Sequence, residues 1–161
     1  MTALVYIGLG SNLGNRSSHI LRGCKNIDLL DSCRLIQMSS IYETPPMGPQ
    51  NQADFLNAVC SVHCNVEPLV LLEALKAIER EHGRVASKER WTARPLDLDI
   101  LLYGQRQVLS SRLCIPHAGI TDRSFVLWPL AELDPDLVIP GRGVVSDWRQ
   151  YCEPAGIRRL A

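Results

Sequence analysis

Leu96-Asp97-Leu98-Asp99-Ile100-Leu101-Leu102-Tyr103 opens on a strict alternation of leucine and acid. A period of two over an apolar, β-rich run is the signature of a half-buried strand. Residues i and i+2 of a strand share a face. Asp97 and Asp99 are therefore expected to project together, with Leu96, Leu98, Ile100 and Leu102 turned to a core.

Working outward from this strand, residues 83–95 form a polar, basic stretch, and a helix precedes it. Pro68 suits that helix's first turn and Gly83 its end, with Leu71, Leu72, Leu75 and Ile78 predicted inward. Residues 55–66 and 34–42 read as two further strands. Between them, Thr44-Pro45-Pro46-Met47-Gly48-Pro49 excludes regular structure, because three prolines remove donors and fix φ. Residues 2–9 make a first strand, and the glycines of 8–14 a turn after it. Asn15 to Ser18 can cap a helix that repeats Ile20, Leu21, Cys24 and Ile27. On the other side lie a short helix over 123–133 and, over 137–161, a strand, turn and helix. The order βαββαβ is the split-βαβ pattern. It predicts an α+β ferredoxin-like sandwich: an antiparallel sheet with helices packed on it and extra C-terminal elements.

The chain has 161 residues, enough for one domain, and is treated as a single unit over 1–161. It is 46% hydrophobic and 21% charged, an ordinary globular composition. Seventeen basic residues balance 17 acidic ones, so no bulk positive field exists to hold nucleic acid. No apolar run is long enough to span a bilayer, and residues 1–7 lack the basic flank of a signal peptide. Six cysteines in apolar surroundings, without a CxxC, read as buried free thiols. A cytoplasmic protein without membrane or nucleic-acid partners is expected.

The chemistry gathers around the paired acids. Two carboxylates on one strand face repel unless a cation neutralises them, and oxygen ligands without thiolates suit Mg²⁺ or Mn²⁺ shared with phosphates. Alone, such a pair also fits a solvated strand face. Immediately upstream, however, stand Arg84, Lys88, Arg90, Trp91 and Arg94. Cations beside metal-ready acids are what phosphoryl transfer needs. An indole in so polar a stretch calls for a flat partner, either a heterocycle or the protein's own core. Pro116-His117 and Arg123-Ser124-Phe125 add an imidazole, a guanidinium and an aromatic ring. Gly8-Leu9-Gly10-Ser11-Asn12-Leu13-Gly14 fails as a nucleotide loop: its spacing is GxGxxxG, and no Lys-Ser/Thr follows.

Taken together, these segments resemble the 6-hydroxymethyl-7,8-dihydropterin pyrophosphokinases of folate biosynthesis. The resemblance runs in collinear order through Gly10-Ser-Asn-Leu13, Ser40-Ile-Tyr-Glu-Thr-Pro-Pro-Met-Gly-Pro49, Phe55-Leu-Asn57, Arg90-Trp91, Arg94-Pro-Leu-Asp-Leu-Asp-Ile100, Pro116-His117 and Arg123-Ser-Phe125. It implies an ATP-dependent diphosphokinase that transfers an intact pyrophosphoryl group to the pterin hydroxymethyl oxygen and releases AMP. By the same resemblance, Asp97 and Asp99 hold two Mg²⁺ ions, and Arg84 and Arg94 contact the phosphates as catalytic groups. Glu79, Arg90, Ile100, His117 and Arg123 join them around ATP. Thr44, Pro45, Pro46, Phe55, Asn57 and Asp97 are implied to line the pterin slot, with the ring between Trp91 and Phe125. A monomer acting on small molecules is expected. Phe55, Lys76, Ala86 and Ala118 depart from residues common in the family. A metal-dependent phosphohydrolase and a ligand-sensing module without turnover are the competing readings.

Overall fold

The computed structural model describes residues 2–46, 51–83, 93–152 and 156–160. In chain order the elements begin with β1 (Ala3–Ser11), α1 (Arg16–Asp28), β2 (Cys33–Met38), β3 (Tyr42–Thr44), β4 (Phe55–Cys64), α2 (Pro68–Glu81) and β5 (Asp97–Tyr103). There follow a two-stranded pair, β6 (Val108–Leu109) and β7 (Cys114–Ile115), then α3 (Ser124–Leu133). A second such pair, β8 (Val138–Ile139) and β9 (Gly143–Val144), leads into α4 (Val145–Tyr151) and β10 (Arg158–Arg159). The fold is thus a mixed one of helices on an antiparallel sheet.

β1 lies inside the main sheet. It pairs antiparallel with β4 on one side and β5 on the other. The far side of β4 carries two strands in succession, β2 along Cys60–Cys64 and β3 along Phe55–Asn57, and β10 closes the edge of β3. The single strand expected over 34–42 is therefore broken. The reason is Ser39, whose Oγ accepts the Val59 N–H at 2.9 Å while its own N–H donates to the Val59 carbonyl at 2.8 Å. A side-chain acceptor replaces a ladder carbonyl there, and the chain bends.

Two apolar clusters sandwich the sheet. One joins Val5, Ile7 and Leu9 of β1 to Ile20, Cys24 and Ile27 of α1 and to Leu71, Leu75 and Ile78 of α2. Asn15 caps α1 through Oδ1, which accepts the Ser18 N–H. Pro68 starts α2, where a missing N–H costs nothing. The inward stripe of α1 is narrower than expected: Leu21 is exposed, one residue round the helix from Ile20. On the opposite face, Tyr6, Val59, Leu101 and Leu102 pack under Val126 and Leu130 of α3 and Val145 of α4.

Leu102 corrects the simple alternation. The β1–β5 register slips between Tyr6 and Ile7, pairing them with Leu102 and Ile100 and leaving Leu101 as the extra residue. A bulge resets the parity, so Leu102 joins the α3 face whereas Leu98 and Ile100 face α1 and α2. The glycines of the N-terminal motif also differ from expectation. Gly8 and Gly10 lie within β1, each flanked by strands on both sides. Cys24, Cys33, Cys60 and Cys64 are buried free thiols, whereas Cys114 and Cys152 are only partly buried, against the expectation for all six. No described helix is long and apolar enough to cross a membrane.

Candidate active site

A cavity of about 450 Å³ opens between the α3 face of the sheet and the segment 117–126. Strand register lays out its floor. Gly10 stands between Asn57 on β4 and Asp97 on β5, and Gly8 between Val59 and Asp99. Two strand spacings put the Asn57 and Asp97 backbones about 10 Å apart. The missing side chains of β1 leave the space between them open. At Gly10 a Cβ would sit 3.1 Å from Asn57 Oδ1, so even alanine would press on the amide. Thr44 at the end of β3, Pro45 after it and Phe55 at the start of β4 also line the cavity, as do Leu72 and Lys76 of α2 and Arg112.

Each floor group is oriented. Asn57 Nδ2 donates to Thr44 Oγ1 at 3.0 Å, both residues being buried, which fixes the amide and leaves Oδ1 toward Gly10. Asp97 Oδ1 accepts from Arg94 Nη1 at 3.3 Å. Asp97 and Asp99 both line the cavity, so the shared face read from their spacing holds.

His117 and Arg123 form the roof with Phe125. The His117 Nδ1 accepts the Gly119 N–H at 3.0 Å, so the neutral ring carries its proton on Nε2. Burial and the Arg123 charge push its pKa below the usual histidine value, against an opposing pull from Asp97. A neutral donor is thereby available at neutral pH. The Arg123 guanidinium lies 5.7 Å from the Phe125 ring centroid. Its Nε lies 2.6 Å from where a Cβ on residue 119 would be, so a side chain there would displace the guanidinium from this position.

Asn12 ties two segments to this floor. Its Oδ1 accepts the Arg94 N–H at 2.8 Å, and its own N–H donates to the Arg94 carbonyl at 3.0 Å. Its Nδ2 donates to Gln52 Oε1 at 2.7 Å and to the Ala53 carbonyl at 3.3 Å. The sequence placed Asn12 in a motif without showing this task. Gly8, Gly10 and Arg112 were likewise missed as lining residues; glycines at i and i+2 of a strand were the available signal.

Glu79 is buried, not an exposed helix carboxylate. Its Oε2 accepts the Leu98 N–H at 2.8 Å, closing the outer edge of β5 beside the cavity. Glu79→Ala leaves that buried donor unpaired and should cost about 1–3 kcal/mol, whereas Glu79→Gln keeps an acceptor and most of the stability. Thermal unfolding of the two variants checks this. Ile100 turns its side chain into the α1–α2 core rather than the cavity. Pro46 is buried at the end of the described stretch after β3. Arg84, Arg90, Trp91 and Met47 lie outside the described residues.

Comparison with known proteins gives the same direction. The family model described as 7,8-dihydro-6-hydroxymethylpterin-pyrophosphokinase (HPPK) matches residues 6–135. The chain belongs to this family. A Haemophilus influenzae 2-amino-4-hydroxy-6-hydroxymethyldihydropteridine pyrophosphokinase is 43% identical over 142 residues, covering 88% of each chain. The Pseudomonas aeruginosa protein of the same name is 42% identical over 160 residues, covering 99% of this chain and 98% of its own. The Pneumocystis carinii folic acid synthesis protein fol1 is 42% identical over 140 residues, but this chain spans only 19% of it. In fold, the chain superposes on a Plasmodium falciparum HPPK-DHPS crystal structure with a TM-score of 0.76 at 14% identity. That match takes in 99% of this chain and 47% of that one. The HPPK relatives are enzymes by name.

Proposed function

We propose that this chain transfers the pyrophosphoryl group of Mg²⁺-ATP to the hydroxymethyl oxygen of 6-hydroxymethyl-7,8-dihydropterin, within folate biosynthesis. The observation that carries it is the row Asn57–Gly10–Asp97: an oriented amide, a gap, then a carboxylate, all on one sheet face. The sheet order supports the ferredoxin-like plan, and the continuous packing of both clusters supports a single domain.

The pterin lies on the Asn57 side. The amide matches the donors and acceptors of an aminopyrimidinone edge. Thr44, Pro45, Pro46 and Phe55 flank it, and Phe125 covers one face of the ring with Trp91 on the other. ATP lies on the β5 side. Strand parity turns the Ile100 backbone to the same outer edge as the Leu98 N–H, where it can meet the nucleobase. Arg84, Arg90, Arg94, His117 and Arg123 surround the phosphates, and Glu79 supports this edge.

Asp97 and Asp99 fit Mg²⁺: both are hard oxygen donors on one face. The described residues contain no cluster of three or more His, Cys, Asp or Glu that would make an all-protein metal cage. Such a pair suits ions that take their remaining ligands from phosphate and water. When bound, two Mg²⁺ ions would offset the charge of the triphosphate. The hydroxymethyl oxygen attacks the β-phosphorus, the bond from that phosphorus to the α,β-bridging oxygen breaks, AMP leaves, and the hydroxyl proton passes to solvent. Arg94, held by Asp97 and Asn12, faces the charge that grows on the transferred group. His117 Nε2–H offers a further donor.

The enzyme is expected to act as a monomer on small molecules. Four buried free thiols support a reducing, cytoplasmic setting. The test is product analysis with Mg²⁺-ATP and the pterin. AMP should form in step with pterin diphosphate and only when pterin is present. ADP or phosphate formed without pterin would replace this reading with a hydrolase, and tight binding without turnover would replace it with a sensing module.

A further inference from the structure

We propose that an ionic clasp, Arg16–Glu43–Arg158, makes the C-terminal strand β10 a positioning element for the acceptor side of the cavity. This inference rests on the placement of the pterin beside Thr44 and Asn57. Glu43 lies between Tyr42 and Thr44 on β3, and its carboxylate is only 15% exposed. Oε2 accepts from Arg16 Nη1 at 2.9 Å, and Oε1 accepts from Arg158. The two guanidiniums hold its carboxyl below the usual carboxylate range.

Arg16 does more than neutralise. The same Nη1 donates to the Asp54 carbonyl at 2.8 Å. One guanidinium thus joins Glu43, just ahead of the proline-containing segment, to Asp54, just behind it. Those two residues adjoin Thr44 and Phe55, both of which line the cavity. From the outer side, β10 pairs Arg158 with Glu43 and Arg159 with Tyr42, and Leu160 N–H donates to the Ile41 carbonyl at 2.9 Å. Gly156, at φ +79°, sits where a Cβ would lie 3.2 Å from Pro45 Cγ. A side chain there would be strained and would push on the cavity wall. Force applied at β10 is therefore passed through Glu43 and Pro45 to Thr44, and through the Thr44–Asn57 hydrogen bond to the floor.

An isolated exposed ion pair contributes little. Here one largely buried carboxylate serves two cations, and it stands on β3 next to Thr44, which lines the cavity. The consequence is selective: the pterin side loosens when the clasp opens, while the nucleotide side, built on β5 and α2, does not.

The experiment uses the full chain. Glu43→Gln should raise KM for the pterin about tenfold and Arg158→Gln about threefold, the double variant being no worse than Glu43→Gln alone. KM for ATP should stay within about twofold in each case. Raising NaCl from about 0.05 to 0.5 M should raise the wild-type pterin KM more than that of Glu43→Gln, because the variant has already lost the ion pairs of the clasp that salt screens. Asn57→Ala is the control. If it raises the pterin KM while Glu43→Gln and Arg158→Gln do not, the clasp is overturned and the pterin site stands. If neither Asn57→Ala nor Glu43→Gln moves it, the acceptor-side placement falls with the clasp. Equal rises in both KM values would show general loosening and also overturn the proposal.

Discussion

Asp97→Ala and Asp99→Ala will each lower kcat by about 10³-fold or more while leaving the unfolding temperature nearly unchanged. The size follows from the work assigned to these groups. Charge stabilisation through a bound cation is worth several kcal/mol in a transition state, and about 4 kcal/mol is a factor of 10³. Neither acid is buried under apolar groups, and neither belongs to either hydrophobic cluster, so the fold does not depend on them. The two variants should still differ in one respect. Asp97 also holds the Arg94 guanidinium, so removing it frees the cation proposed to meet the phosphates. Arg94→Ala combined with Asp97→Ala should therefore cost less than the sum of the single changes, whereas Arg94→Ala with Asp99→Ala should come closer to additive. Steady-state kinetics over a range of Mg²⁺, with thermal unfolding alongside, checks both points. Turnover within tenfold of wild type in either single variant would remove the metal assignment.

That pair was legible because a strand's period of two is rigid: once Leu96 to Tyr103 is a strand, Asp97 and Asp99 must share a face. Pro68, Asn15 and the spacing of Leu71, Leu75 and Ile78 were legible for the same reason, since caps and stripes are local. What sequence hid depends on neighbours far along the chain. Leu102 changes face because β1 and β5 slip past one another, which no window around Leu102 records. Ser39 breaks a strand through a bond to Val59, twenty residues away. Gly10 read as turn material because glycine usually marks turns; its use as a gap between Asn57 and Asp97 exists only once three strands are aligned. Nothing near Glu79 in the sequence shows the donor that the edge of β5 supplies to it. The shared face of the two acids was thus easier to read than the scaffold around it.

Asn12 is the sharpest test of that scaffold, and Asn12→Ala should lower both stability and catalysis. The side chain is 2% exposed and makes three hydrogen bonds, to the Arg94 N–H, Gln52 Oε1 and the Ala53 carbonyl. Alanine removes them and leaves backbone groups of two segments without their partner, a loss of about 2–3 kcal/mol. For a domain of this size that is a fall in Tm of about 5–10 °C. Catalysis should drop further than stability alone explains. Arg94 and the segment leading into Phe55 are both registered against β1 by this one amide, and a misplacement of about 1 Å is worth roughly 10²-fold in rate. Assayed well below its Tm, the variant should lose about 10²-fold in kcat/KM for the pterin. Asn12→Asp separates the two arms. It keeps an acceptor for the Arg94 N–H but loses the donor to the Ala53 carbonyl, and Gln52 can turn its amide to compensate only in part. Its kcat should recover toward wild type while the pterin KM stays raised. If Asn12→Asp instead lowers kcat as far as alanine does, Arg94 is held by other means and the tie through Asn12 serves the fold alone.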